Sequence, residues 1–87
     1  MKAIELRHFG GPDALELTEL PRPVPGPGEL LVRVEAAGIN YFETLILRDR
    51  YAVTPTLPMV PGVEVCGIVQ AMGSSVHGHE VGARVAV

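Results

Sequence analysis

The sequence predicts a mainly β domain carrying one short helix at about residues 40–49. Apolar residues alternate with polar ones through most of the chain, the pattern of half-buried strands. The eight prolines gather between the alternating segments, where they remove backbone donors and bar a central strand. One stretch alone, beginning at Asn40, changes to a period of 3.6.

In the first segment Ile4 and Leu6 share one face and Glu5 and Arg7 the other, so the apolar pair is expected toward the core. FGGPD at 9–13 is a turn signal. Leu15 and Leu17 against Glu16 and Thr18 give a second strand, expected to pair antiparallel with the first. PRPVPGPG at 21–28 reads as an extended connector. In ELLVRVEAAG at 29–38, Leu30, Val32, Val34 and Ala36 fall on one face, predicted to join the core, with Arg33 and Glu35 opposite.

From Asn40 the stripe Phe42, Leu45, Ile46 and Asp49 marks the helix, and Asn40 followed by Glu43 has capping-box spacing. Residues 50–62, with three more prolines, read as an irregular surface loop. VEVCGIVQAMG at 63–73 is apolar on both faces, predicting a strand covered on each side and the most buried element. GSSVHGHE turns the chain, and VGARVAV opens a last strand. An end on Val-Ala-Val, without a polar tail, is the expectation for a piece of a longer chain. No repeat, low-complexity segment or internal domain boundary is visible.

Composition narrows the function. Hydrophobic residues make up 47% of the chain, charged residues 20%, and the net charge is −3. Such a chain folds, and without a basic cluster or aromatic platform it is expected to use neither nucleic acid nor membrane as its main partner. The single cysteine, Cys66, excludes an internal disulfide and a Cys-rich zinc module. No apolar stretch approaches the roughly 20 residues that span a bilayer, and the N-terminus lacks a signal-peptide core. A cytoplasmic small-molecule or protein-binding role is the default.

MKAIELRHFGGPDALEL, PVPGPGELLVRVEAAGIN, LPMVPGVEVCGIVQAMG and VGARVAV together resemble the N-terminal GroES-like part of medium-chain dehydrogenase/reductases, and the zinc-free quinone oxidoreductase branch above all. The resemblance covers the whole chain in order. It implies a partly open GroES-like β-barrel, forming the N-terminal part of a catalytic domain over 1–87, with a Rossmann domain for NADPH or NADH lying elsewhere. In keeping with that, the chain has no GxGxxG and no βαβ unit to hold one.

Zinc-dependent members carry cysteine where this chain has Asn40, and Gly-His-Glu where it has Gly62-Val63-Glu64. Zinc takes thiolate, imidazole or carboxylate ligands; a carboxamide and a valine supply neither of the two expected, and Cys66 lies two residues past Glu64 on the strand. No catalytic zinc is expected. The resemblance implies NAD(P)H-dependent hydride transfer to a quinone, an enone or a related activated acceptor, with Asn40, Glu43 and Tyr51 facing cofactor and substrate. The full-length protein is expected to be a homodimer and this chain alone to be inactive. The acid at the Glu43 position is usually aspartate, one carbon shorter.

Each of these residues also has a structural reading. Asn40 is a good N-cap, Glu43 the reciprocal half of the capping box, and Tyr51 an aromatic plug between helix and loop. Glu64 reads as a structural carboxylate satisfied by backbone N–H groups, or as a proton relay. His77, His79 and Glu80 sit in a solvated turn, His8 beside the FGG turn at the surface, and Cys66 as an inert core thiol. Ala83 stands where the family commonly has aspartate before Arg84, so any turn or ion-pair role of that acid is lost. Two other functions are compatible with the sequence: a stand-alone GroES-like module that self-associates through an uncovered apolar face, and a zinc-type alcohol dehydrogenase, which Asn40 and Val63 disfavour.

Overall fold

The computed structural model describes residues 1–87 and divides into two compact units, Met1–Pro21 with Ile39–Gly62, and Arg22–Gly38 with Val63–Val87. In the first unit, β1 (Lys2–Leu6) pairs antiparallel with β2 (Leu15–Glu19), in a register that sets Ile4 against Leu17 and Leu6 against Leu15. The FGGPD turn between them contains a single 3₁₀ turn, Pro12–Ala14. Gly11 precedes it at φ 82°, a conformation open to glycine at little cost.

That turn has a second task. The N–H groups of Gly10 and Gly11 donate to the Leu47 carbonyl at 2.8 and 3.2 Å, satisfying one of the acceptors that every helix leaves open at its C-terminus. Helix α1 spans Tyr41–Leu47, with Asn40 as N-cap and Arg48 as C-cap. It is shorter than predicted, because Asp49 adopts φ 54° and falls outside the helix although it completes the sequence stripe.

Leu6, Ala14 and Leu47 form the buried centre of this unit, with Phe9, Leu15, Leu57 and Met59 packed around it. Leu6 has no exposed surface, and burying such a side chain stabilises by about 1.5–3 kcal/mol. The loop 50–62 does more than cross the surface. Leu6 and Met59 exchange backbone hydrogen bonds at 2.8 and 3.0 Å, an isolated antiparallel bridge that brings Leu57 and Met59 to the core.

The simple alternation predicted for β1 needs correction: Ile4 is 45% exposed, whereas Glu5 is buried at 6%. Arg7 Nε donates to Glu5 Oε1 at 2.8 Å and lies 3.7 Å from Glu16 Oε2. Glu5 and Glu16 are cross-strand partners, a like-charge pairing that Arg7 offsets. Only the Leu6 end of the ribbon meets the core.

The second unit is a three-stranded antiparallel sheet in the order β3 (Leu30–Ala37), β4 (Val65–Met72), β5 (Arg84–Ala86). The PRPVPGPG connector makes no strand. It is tied down by Glu29, whose Oε1 accepts from Gly26 N–H at 2.7 Å, and by Gly28 N–H, which donates to the Ser74 carbonyl at 2.7 Å.

Register irregularities between Leu31 and Val32 and between Val34 and Ala36 break the alternation of β3. Leu30, Leu31 and Val32 are half-buried, but Val34 and Ala36, assigned to the core by their spacing, are exposed. From Arg33 to Ala37 every residue of β3 is exposed, so both faces of this half of the strand are uncovered. The expectation that β4 is the most buried element holds only at Gly67 and Val69; Gln70 and Met72 are exposed, and Val63 and Glu64 lie outside the strand. Gly67 is obligatory for a steric reason, since a Cβ there would overlap the Arg33 carbonyl. No helix in the chain is long and apolar enough to cross a membrane.

Candidate functional site

The start of α1 gathers the residues that carry chemistry in the first unit. Asn40 is extended, at φ −113° and ψ 159°, as an N-cap must be. Its N–H donates to Glu43 Oε2 at 2.8 Å, and Glu43 N–H donates to the Asn40 carbonyl at 3.1 Å. The Asn40 carboxamide lies over the Glu43 N–H in capping-box fashion but makes no hydrogen bond of strict geometry. Its NH₂ donors and much of its acceptor capacity thus stay available. The capping box is carried mainly by the acid, through a charge-assisted bond at the electropositive end of the helix.

Glu43 is 5% exposed. Its Oε1 has no hydrogen-bond partner, and a Cβ built on Gly62 would stand 4.0 Å from it. Of the two readings of Glu43, the reciprocal cap is present in the bond from Asn40 N–H to Oε2.

Tyr51 packs its ring on Phe42, with centroids 5.5 Å apart and a tilt of 43°. It is 42% exposed, and its hydroxyl bonds nothing in the chain, so the aromatic-plug reading describes the ring and leaves the phenol free. Asn40, Glu43 and Tyr51 therefore share one unit, the first two at the start of α1 and Tyr51 in the loop that follows the helix. Sequence reasoning passed over Ile39 and Tyr41, exposed at 85% and 78% on either side of Asn40. The signal was there in AAGINYFE, where large apolar residues bracket the amide.

Glu64 belongs to the second unit and corrects an expectation. It is exposed, and no backbone N–H reaches its carboxylate, which instead lies against Gly38, where a Cβ would overlap Oε1. Only its backbone carbonyl is bonded, accepting from Gly38 N–H at 3.2 Å. Cys66 is half-buried, not a core residue, among small neighbours including Ala36 and Ala86 across the sheet. His77, His79 and Glu80 lie in the turn before β5, and His8 is exposed with Nδ1 3.3 Å from the Phe9 carbonyl. Arg84, beside Ala83, donates to Glu35 of β3.

The donor chemistry does not fit a catalytic zinc. Asn40 and Val63 offer no ligand of the kinds zinc takes, and no three His, Cys, Asp or Glu side chains come together to hold a metal. What α1 presents is neutral: a carboxamide, a phenol and an apolar rim.

Residues 26–87 match the alcohol dehydrogenase GroES-like domain family. The chain belongs to that family. It is a GroES-like domain of the medium-chain dehydrogenase/reductase type, mainly β with two open sheets, and its relatives include proteins named quinone oxidoreductase. It is 40% identical to a mouse quinone oxidoreductase over 86 residues, which is 98% of this chain and 26% of that protein. It superposes on the crystal structure of human synaptic vesicle membrane protein VAT-1 homolog-like protein with TM-score 0.95 and 42% identity, covering 99% of this chain and 28% of that one. A mycobacterial protein solved in complex with NADPH matches with TM-score 0.87 and 42% identity, covering 99% of this chain and 27% of the other. The GroES-like domain described here thus spans about a quarter of the relatives it matches.

Proposed function

We propose that this domain is the N-terminal part of the substrate-side domain of an NAD(P)H-dependent reductase of quinones or related enones, acting in the cytoplasm by hydride transfer without catalytic zinc. The observation that carries the proposal is the Asn40 carboxamide, which occupies the N-cap yet is not consumed by it. The likeness to proteins named quinone oxidoreductase and to a protein solved with NADPH supports the same reading.

Bound nicotinamide supplies the hydride. The residues of this chain supply position. Asn40 Nδ2 is a neutral donor suited to an acceptor's carbonyl oxygen, and the Tyr51 hydroxyl is a second group able to donate. Ile39 and Tyr41 add apolar surface beside the amide, the combination of apolar lining and few polar groups that suits a small planar acceptor. Orientation accelerates such a transfer by holding the reacting atoms in place. A kinetic screen of the full-length protein with NADPH, NADH and a panel of quinones and enones tests the proposal. Turnover of at least one acceptor class is expected; oxidation of simple alkanols with no quinone or enone turnover would overturn it.

A second reading, a self-associating module without catalysis, has one observation in its favour: the cross-strand pair Ile4 and Leu17 is exposed at 45% and 68%. Sedimentation of the 87-residue chain across a concentration series decides it. A monomer throughout removes the module reading, and a concentration-dependent dimer lost on Leu17→Glu supports it.

A further inference from the structure

We propose that Glu43 is a positioning residue that sets the direction of the Asn40 carboxamide at some cost to the stability of the helix start. The inference rests on the reading of Asn40 as the group that holds the acceptor.

Its two carboxylate oxygens have unequal surroundings. Oε2 accepts from Asn40 N–H at 2.8 Å, while Oε1 is buried without a partner. A buried acceptor left unbonded costs stability, the more so on a carboxylate. Capping uses one carboxylate oxygen only, so the cap accounts for Oε2 and leaves the buried Oε1 without a local role. A buried carboxylate oxygen that the cap does not use, one helical turn from the candidate ligand-binding amide, is the feature a positioning role accounts for.

The geometry shows how that role acts. The charge-assisted bond from Asn40 N–H to Oε2 holds the Asn40 backbone extended at φ −113° and ψ 159°. That backbone fixes where the Asn40 side chain departs. Burial of Glu43 at 5% exposure fixes its own side chain in turn, so the amide is oriented by a partner that does not touch the ligand.

The test uses Glu43→Gln and Glu43→Asp in the full-length protein, with Tm and steady-state kinetics toward NADPH with p-benzoquinone and a linear enone as probes. Glu43→Gln keeps the cap hydrogen bond without its charge, so a small fall in Tm is expected while kcat falls roughly ten- to hundredfold, the penalty of a misplaced positioning group. Glu43→Asp, which keeps the charge, is expected to recover part of that loss. A fall in Tm with unchanged kinetics, or no change in either, overturns the proposal. Should the wild type reduce neither probe, the reading of Asn40 fails on its own, and the side-chain amide resonance of Asn40, assigned through Asn40→Asp in ¹⁵N-asparagine-labelled protein, still tests the coupling. A shifted or broadened resonance in folded Glu43→Gln supports positioning; an unchanged one overturns it.

Discussion

Asn40 carries two roles that separate by substitution. Asn40→Ala removes both, and is expected to destabilise by about 1 kcal/mol through the lost cap while lowering kcat/KM of the full-length protein by well over the roughly fivefold that such an energy would explain. Asn40→Asp is the sharper variant, since aspartate caps as well as asparagine. Its Tm should match the wild type while turnover falls; intact kinetics in Asn40→Asp would return the residue to a structural role. Tyr51 separates in the same way. Tyr51→Phe preserves the stack on Phe42, so an unchanged Tm with a raised KM for the acceptor is expected, and an unchanged KM would show the hydroxyl to be idle. Of these roles the cap was legible in sequence, because Asn and Glu three apart precede a helical stripe. The burial of Glu43 was not, because it depends on Gly62 and on chain packing from outside the helix.

At the scale of elements, what the sequence predicted well were segments whose neighbours are local. β1 and β2 appear on either side of FGGPD, and α1 begins where the period changes. It predicted poorly wherever a partner strand decides. The bulges in β3 are set by pairing with β4, and burial along the strand stops after Val32, so Val34 and Ala36 are exposed although their spacing is that of a core face. Met59 enters a bridge from a proline-rich stretch with no strand pattern at all. Two substitutions test these contacts. Gly67→Ala places a Cβ on the Arg33 carbonyl, a backbone atom with little freedom to yield; a loss of about 1–3 kcal/mol is expected by urea denaturation, as for other overpacked sites. Leu6→Ala empties the centre of the first unit and should cost about 2–5 kcal/mol, a large part of the 5–15 kcal/mol that holds an ordinary domain together. Wild-type stability in either variant would show that the contact does not bear on folding.

At the scale of the whole molecule, the relatives this chain matches are about four times its length, and the function proposed for it is hydride transfer by alignment. On that proposal Asn40 and Val63 stand where zinc would need ligands, and Asn40 and Tyr51 orient the acceptor, with Glu43 buried and bonded to the Asn40 N–H. The most direct test of that claim is quinone reduction by the full-length protein with NADPH before and after exhaustive chelation, with metal content measured alongside. Turnover that survives chelation, with no zinc bound beside Asn40, is the predicted result. Stoichiometric zinc at that site, with activity lost on its removal and restored on its return, would contradict the account.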